Sequence, residues 1–188
     1  VKRENKIKKI MLKKYNGTYQ YTIISAVYNV GRYLDEYFKS IINQHMDFKK
    51  SIHIILVDDG STDNSAQIIK TWQKKYPLNI TYIYKENGGQ ASARNLGLDH
   101  ANTEWVTFID PDDIIDQNYF SSIDIFINKN SNKKLELIGC NLIFYFDATN
   151  QYKDTHPLKY RFAKEETLVP INNLGKQIQL SASSAIFR

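Results

Sequence analysis

Trp105-Val106-Thr107-Phe108-Ile109-Asp110-Pro111-Asp112-Asp113 is the stretch on which the fold is read: a short apolar run of strand type that ends in a knot of acids. Asp110, Asp112 and Asp113 fall within four residues of one another. Carboxylates this crowded repel each other, and a hard divalent cation such as Mg²⁺ or Mn²⁺ relieves that repulsion. The same residues also suit a purely structural turn, since Asp-Pro favours a turn and Asp113 can cap a following helix. A metal-and-phosphate site where the strand ends is the leading expectation from this stretch.

Outward from this run the chain repeats one theme. Residues 22–27, 52–57 and 80–84, like 105–109, are short apolar runs bounded by polar or turn residues, and each is followed by a segment of helical period. The clearest helix is expected at about 33–46, with Tyr33, Leu34, Tyr37, Phe38, Ile41 and Ile42 on one stripe. A second follows Ser61-Thr62-Asp63, buries Ile68, Ile69 and Trp72, and is stopped by Pro77 and Asn79. A third begins near Gln90, with Ala91, Ala93, Leu96 and Leu98 suited to close packing on a sheet. A fourth spans about 119–129 and leads into a long strand-like run at 135–146. Strands alternating with helices imply right-handed crossovers and a Rossmann-like, mainly parallel sheet with helices on both faces. Beyond Asp147 the period is lost; 147–176 reads as loops with short irregular elements, and 177–187 as one further strand.

Composition bounds the function classes. A length of 188 residues with 42% hydrophobic content supports one substantial core. The net charge of +5 comes from dispersed lysines apart from a basic opening that includes Lys2, Arg3, Lys6, Lys8 and Lys9. No aromatic-basic motif accompanies it, so nucleic acid is not expected as a partner. The opening segment suits a helix packed on the body or a peripheral contact with a membrane surface. No signal-peptide core or membrane-spanning run is legible. A lone Cys140 excludes an internal disulfide, which points to a cytoplasmic location. Three segments are expected: a basic extension at 1–20, a core at 21–146, and the start of a further region at 147–188 that reads as cut at Arg188.

In an open parallel sheet the ligand crevice lies beyond the carboxyl ends of the strands. Strand one leads there into Ala26-Val27-Tyr28-Asn29, and strand two into Asp58-Asp59-Gly60-Ser61-Thr62-Asp63. Gly60 permits a sharp turn, and Ser61, Thr62 and Asp63 are capping types, so half of the second motif is structural. Asp58 and Asp59 are acceptors for a base edge or a ribose hydroxyl, and Tyr28 offers a face for stacking. After strand three, Asn87-Gly88-Gly89 brings flexible backbone near a ligand, and Arg94 is placed either to pair with phosphate or to form an ion pair with a neighbouring acid.

These four motifs, in this order and spacing, resemble the family 2 glycosyltransferases over residues 21–143. The resemblance implies a GT-A fold and an inverting transfer of sugar from a nucleotide-diphosphate donor, a UDP-sugar first, to a hydroxyl on a glycan or polyol acceptor. By the same resemblance, Asp59 contacts the base with help from the loop of Ala26 and Tyr28 and from Asn87 and Arg94, and Asn29, Asp58 and Gly88 are expected in the same nucleotide-sugar site with Asp110 and Asp112. Asp110 and Asp112 match the family's DxD motif for Mn²⁺ or Mg²⁺, and Asp113 is a further candidate metal ligand. Bacterial surface polysaccharide synthesis at the inner face of the membrane is the implied setting. The family's catalytic base has no counterpart here; Glu165-Glu166 precedes the last apolar run instead of following it. The base is therefore expected beyond Arg188, and this chain is expected to bind a sugar nucleotide while turning over poorly.

Two other classes remain in view. A haloacid-dehalogenase-like phosphatase also ends a strand in Asp-x-Asp, and a nucleotide-sugar-binding module without a base would keep binding and lack transfer. A dinucleotide-dependent oxidoreductase is disfavoured, because no Gly-x-Gly-x-x-Gly turn follows the first strand.

Overall fold

The computed structural model describes residues 18–141, 143–146, 149, 151–153, 168 and 185–188. The basic opening at 1–17, Glu165-Glu166 and residues 177–184 lie outside the described residues. Five helices and eight strands fall within them. In chain order these are β1 (Tyr21–Val27), α1 (Gly31–Ile42), α2 (Phe48–Ser51), β2 (Ile52–Asp58), α3 (Ser65–Lys75), β3 (Ile80–Tyr84), α4 (Gln90–His100), β4 (Trp105–Phe108), α5 (Tyr119–Lys129), β5 (Leu137–Gly139), β6 (Phe144–Phe146), β7 (Gln151–Lys153) and β8 (Ala185–Phe187).

Six strands form one sheet in the order β3-β2-β1-β4-β8-β5. β3, β2, β1 and β4 are parallel, whereas β8 runs antiparallel to both of its neighbours. The chain moves from β1 outward to β2 and β3, then crosses back to lay β4 on the other side of β1. Strand order therefore reverses between β1 and β4, and a crevice opens at such a reversal beyond the carboxyl ends of the strands.

Period-two patterning explains which face each helix covers. Tyr21, Ile23 and Val27 of β1 and Ile52, Ile54 and Leu56 of β2 point to one side, where they bury Leu34, Tyr37, Phe38 and Ile41 of α1, Ile69 of α3, and Phe120 and Ile123 of α5. The alternate residues Ile24, Ile55 and Val57 point to the other side, against Ala93 of α4. Burial of each large apolar side chain in these layers contributes roughly 1.5–3 kcal/mol. α4 lies unusually close to the sheet: a Cβ on Gly97 would sit 2.4 Å from Ile24 Cγ2. On the opposite face α1 and α3 are joined by Phe38 stacked on Trp72, with ring centroids 5.2 Å apart, and by Trp72 Nε1 donating to Asp35 at 2.7 Å.

Several expectations need correction. The first helix starts two residues earlier than expected and ends at Ile42, because Asn43 N closes the last turn on Lys39 O and Gln44 then turns inward. The one-turn α2 was not legible as a helix; Asp47 caps it by accepting from Lys49 N at 3.1 Å. Ala91 is exposed, and Gly97 takes the close-packing place beside Ala93. The long run at 135–146 is two strands with different partners: β5 pairs with β8 in the main sheet, and β6 pairs with β7 in a separate hairpin. An apolar run carries no mark where its pairing partner changes. For the same reason β7 was hidden inside a segment read as loops.

Candidate nucleotide-binding edge of the sheet

Two loops are sewn together where β1 and β2 end. Asn29 adopts a left-handed conformation, φ 53°, which its short polar side chain tolerates. Its Oδ1 accepts from Thr62 N at 2.8 Å and Asp63 N at 3.3 Å, and its own N donates to Ser61 Oγ at 3.1 Å. Asp63 accepts from Gly31 N and Ser65 N, both at 2.9 Å. Burial works to raise the Asp63 carboxyl, yet the Ser65 hydroxyl and these amides outweigh it and leave it below the usual range. Asp59 N donates to Val27 O at 2.8 Å. Asn29 and Asp63 thus serve as joinery between the loops, while the Tyr28 ring beside them is 52% exposed at the rim. Ala26 stays in strand register opposite Val57 and packs on the α4 face.

The two acids after β2 have different fates. Asp58 is wholly buried; its Oδ1 accepts from Ser61 N at 2.8 Å and its Oδ2 from Tyr82 OH at 2.7 Å. The ligand role expected for Asp58 has no exposed surface to act through, and the residue closes the turn. Asp59 is gripped by the loop after β3. It accepts from Gly88 N at 3.0 Å, from Gly89 N at 2.7 Å and from the Lys85 ammonium, while Asn87 Nδ2 donates to its carbonyl at 2.9 Å. Burial pushes its carboxyl up, but Lys85 and the two amides together hold it below the ordinary value. Gly60, at φ +82°, makes the turn that sets this geometry.

The acidic turn is fixed at its entry and at its exit. On entry, Ile109 N donates to Ile24 O at 3.3 Å, and Ser25 Oγ donates to Ile109 O at 2.6 Å while meeting Tyr37 OH at 2.6 Å. Asp113 N closes the turn on Asp110 O at 2.9 Å. On exit, the buried Gln44 amide donates to Asp116 O at 2.7 Å and accepts from Phe120 N at 3.2 Å. Between these anchors Asp112 and Asp113 are exposed. Asp110 instead faces α4, where Arg94 NH2 reaches its Oδ1 at 2.6 Å and Gln90 Nε2 at 3.3 Å. Local desolvation, then the Asp112 and Asp110 charges, push the Asp113 carboxyl up to about 6.

All four motifs therefore meet at the carboxyl edge: Asp59, Asn87, Gly88 and Asp110 through Asp113 lie on connected loops, and Arg94 joins them from α4 through Asp110. Ser25, Tyr37, Gln44 and Lys85 were missed. Ser25 and Gln44 carried a faint signal, as polar residues inside apolar patterns.

Among the described residues, no three His, Cys, Asp or Glu side chains converge into a ready cage for a metal ion. The donor set still fits Mg²⁺ or Mn²⁺ of the kind held by one or two carboxylates and completed by phosphate oxygens. Exposed acids on a turn anchored at both ends supply that kind of ligand.

An open α/β sheet with acidic, glycine-bearing loops at its switch point is an architecture shared by nucleotide-binding domains. Residues 22–180 match Glycosyl transferase family 2, and the chain belongs to that family. It is 37% identical over 150 residues to the minor teichoic acid biosynthesis protein GgaB of Bacillus subtilis, covering 80% of this chain and 16% of that one. To GgaA of the same organism it is 32% identical over 170 residues, covering 89% and 37%. The chain thus spans well under half the length of these curated relatives. The crystal structure of S. aureus TarS 1–349 in complex with UDP-GlcNAc superposes with a TM-score of 0.55 at 31% identity, covering 60% of this chain and 32% of that one. The fold is accordingly GT-A.

Proposed function

We propose that this domain binds a nucleotide-diphosphate sugar, a UDP-sugar first, across the ends of β1, β2 and β4, and transfers the sugar to a hydroxyl of a bacterial surface glycan or polyol with inversion. The observation that carries this reading is the meeting of the Asp59 loop, Arg94 and the acidic turn on one edge. The names of GgaB, GgaA and TarS support a teichoic-acid-like setting and a uridine nucleotide.

Each residue then has a task. Tyr28 offers its face to the base, and Asp59 with Asn87 and Gly88 shapes the pocket for the base edge. Asp112, with Asp110 and Asp113, would hold Mn²⁺ or Mg²⁺, which when bound supplies Lewis-acid stabilisation of charge on the departing diphosphate. Arg94 balances the acids on the protein side and presents guanidinium donors toward phosphate. The acceptor hydroxyl needs a carboxylate base on the opposite face of the sugar; that base is proposed to come from outside the described residues. A location at the cytoplasmic face of the membrane follows from such a donor, and among the described residues no helix is long and apolar enough to cross a membrane.

Thermal-shift measurements with UDP-glucose, UDP-GlcNAc, GDP-mannose and CDP-glycerol, each with and without Mn²⁺, test the proposal. A metal-dependent rise in Tm with UDP-sugars supports it, and a rise with none of the four rejects it.

A further inference from the structure

Lys85 belongs to none of the four motifs, yet the loop that carries Asn87 and Gly88 is folded around the pair it makes with Asp59. Its ammonium donates to Asp59 Oδ1 and to the Glu86 carbonyl. The two side chains are 20% and 4% exposed, so the charges meet largely out of water. An ionised carboxylate has about four acceptor positions. Lys85 and the Gly88 and Gly89 amides fill three of them, and the fourth remains on Oδ2. A Cβ at Gly88 would sit 2.8 Å from Lys85 Nζ, so glycine at that position keeps the ammonium seated. Gly88 has no positive φ; its role is space.

We infer that Lys85 is a positioning residue for nucleoside-diphosphate binding, locking Asp59 and the 85–89 loop into one arrangement that leaves a single acceptor for the base. This rests on the reading of the sheet edge as the nucleotide site. Among the titratable groups near Asp59, Lys85 bonds to its carboxylate; Asp58, beside it in the chain, is bonded instead to Tyr82, and Glu86 meets Lys85 through its backbone carbonyl. Of these Lys85 alone is positive. Burial already works to raise the Asp59 carboxyl, and Lys85 is the first of the groups that offset it. Without the ammonium, burial gains ground and the carboxyl takes up its proton at higher pH.

Calorimetric titration of UDP with Mn²⁺ between pH 4.5 and 8 tests this in wild type, Lys85→Met, Lys85→Arg and Gly88→Ala. The expected loss for Lys85→Met near neutrality is about tenfold, the scale of one charge-assisted hydrogen bond. The ratio of its affinity to that of wild type falls further toward acid, whereas Lys85→Arg stays near wild type with a flat ratio. Gly88→Ala, which displaces the ammonium, shows the same additional acid-side loss. A Lys85→Met variant with wild-type affinity, or one weaker by a constant factor at every pH, overturns the inference while leaving the nucleotide site intact. A wild-type protein that binds no UDP at any pH overturns both.

Discussion

Arg94 and Asp110 meet at 2.6 Å across the gap between α4 and the end of β4, with the Arg94 guanidinium also lying over the Phe108 ring at 5.4 Å. The pair ties the helix that follows the glycine loop to the turn that carries the acids. It supplies a fixed positive charge to a turn that otherwise holds three carboxylates within four residues. Both side chains are less than a third exposed, so the interaction is shielded from bulk water.

Replacing Arg94 by Met removes that counter-charge and its charge-assisted bond to Asp110 Oδ1, where Gln90 Nε2 at 3.3 Å remains. The expected loss of stability is about 1–3 kcal/mol, read from the urea midpoint. Mn²⁺ should restore more stability to the variant than it adds to wild type, because a cation at the turn takes over the missing charge. Equal midpoints with and without the guanidinium would show that the acids are neutralised elsewhere.

Gln44 anchors the far side of the same turn. Its buried amide bridges Ser40 O, Asp116 O and Phe120 N at 3.0, 2.7 and 3.2 Å. Gln44→Leu keeps much of the volume and orphans the buried Phe120 N, at about 1–3 kcal/mol, while Asp116 O keeps its bond from Tyr119 N at 2.9 Å. Hydrogen exchange at Phe120 N should quicken in step with the loss. Unchanged exchange there would mean that the segment holds its place without the amide.

Asp113 gives stability a pH dependence of stated sign. Its carboxyl is pushed up to about 6, so between the ordinary carboxylate range and that value the folded chain holds a proton that the unfolded chain has released. Its contribution therefore weakens as pH rises through about 4 to 6. Asp59, held below its ordinary value, acts oppositely at lower pH: its contribution is present above the ordinary range and is lost as pH falls through its depressed value. Urea midpoints at pH 4.5 and pH 7 for wild type and Asp113→Asn provide the check. The variant should gain on wild type at pH 7 and not at pH 4.5.

The parallel core was legible because its signals are local. Alternation in β1 and β2, the stripe on α1 and the turn residues after each strand all agree with their places in the sheet. The convergence of Asp59, Arg94 and Asp110 was legible too, since topology carries successive strand ends to one edge. What the sequence hid depends on partners remote along the chain. Ser25 and Tyr37 are separated by 12 residues, and Ser25 and Ile109 by 84, yet together they fix the entry to the acidic turn. Asp58 looked like an exposed ligand group because its partner Tyr82 lies 24 residues away. The split of residues 135–146 between two sheets likewise turns on remote partners: β7, inside a segment expected as loops, and β8, within the strand expected at 177–187, whose antiparallel pairing with β5 has no local mark.

On the proposed reading, the acids after β4 would hold a cation against a pyrophosphate. Calorimetry of UDP binding with and without Mn²⁺, in wild type and in Asp112→Ala, tests it most directly. Wild type is expected to bind UDP more tightly with Mn²⁺, and the variant to lose this metal-dependent part while its circular dichroism and Tm stay close to wild type. A folded Asp112→Ala protein with the full Mn²⁺-dependent affinity would contradict it.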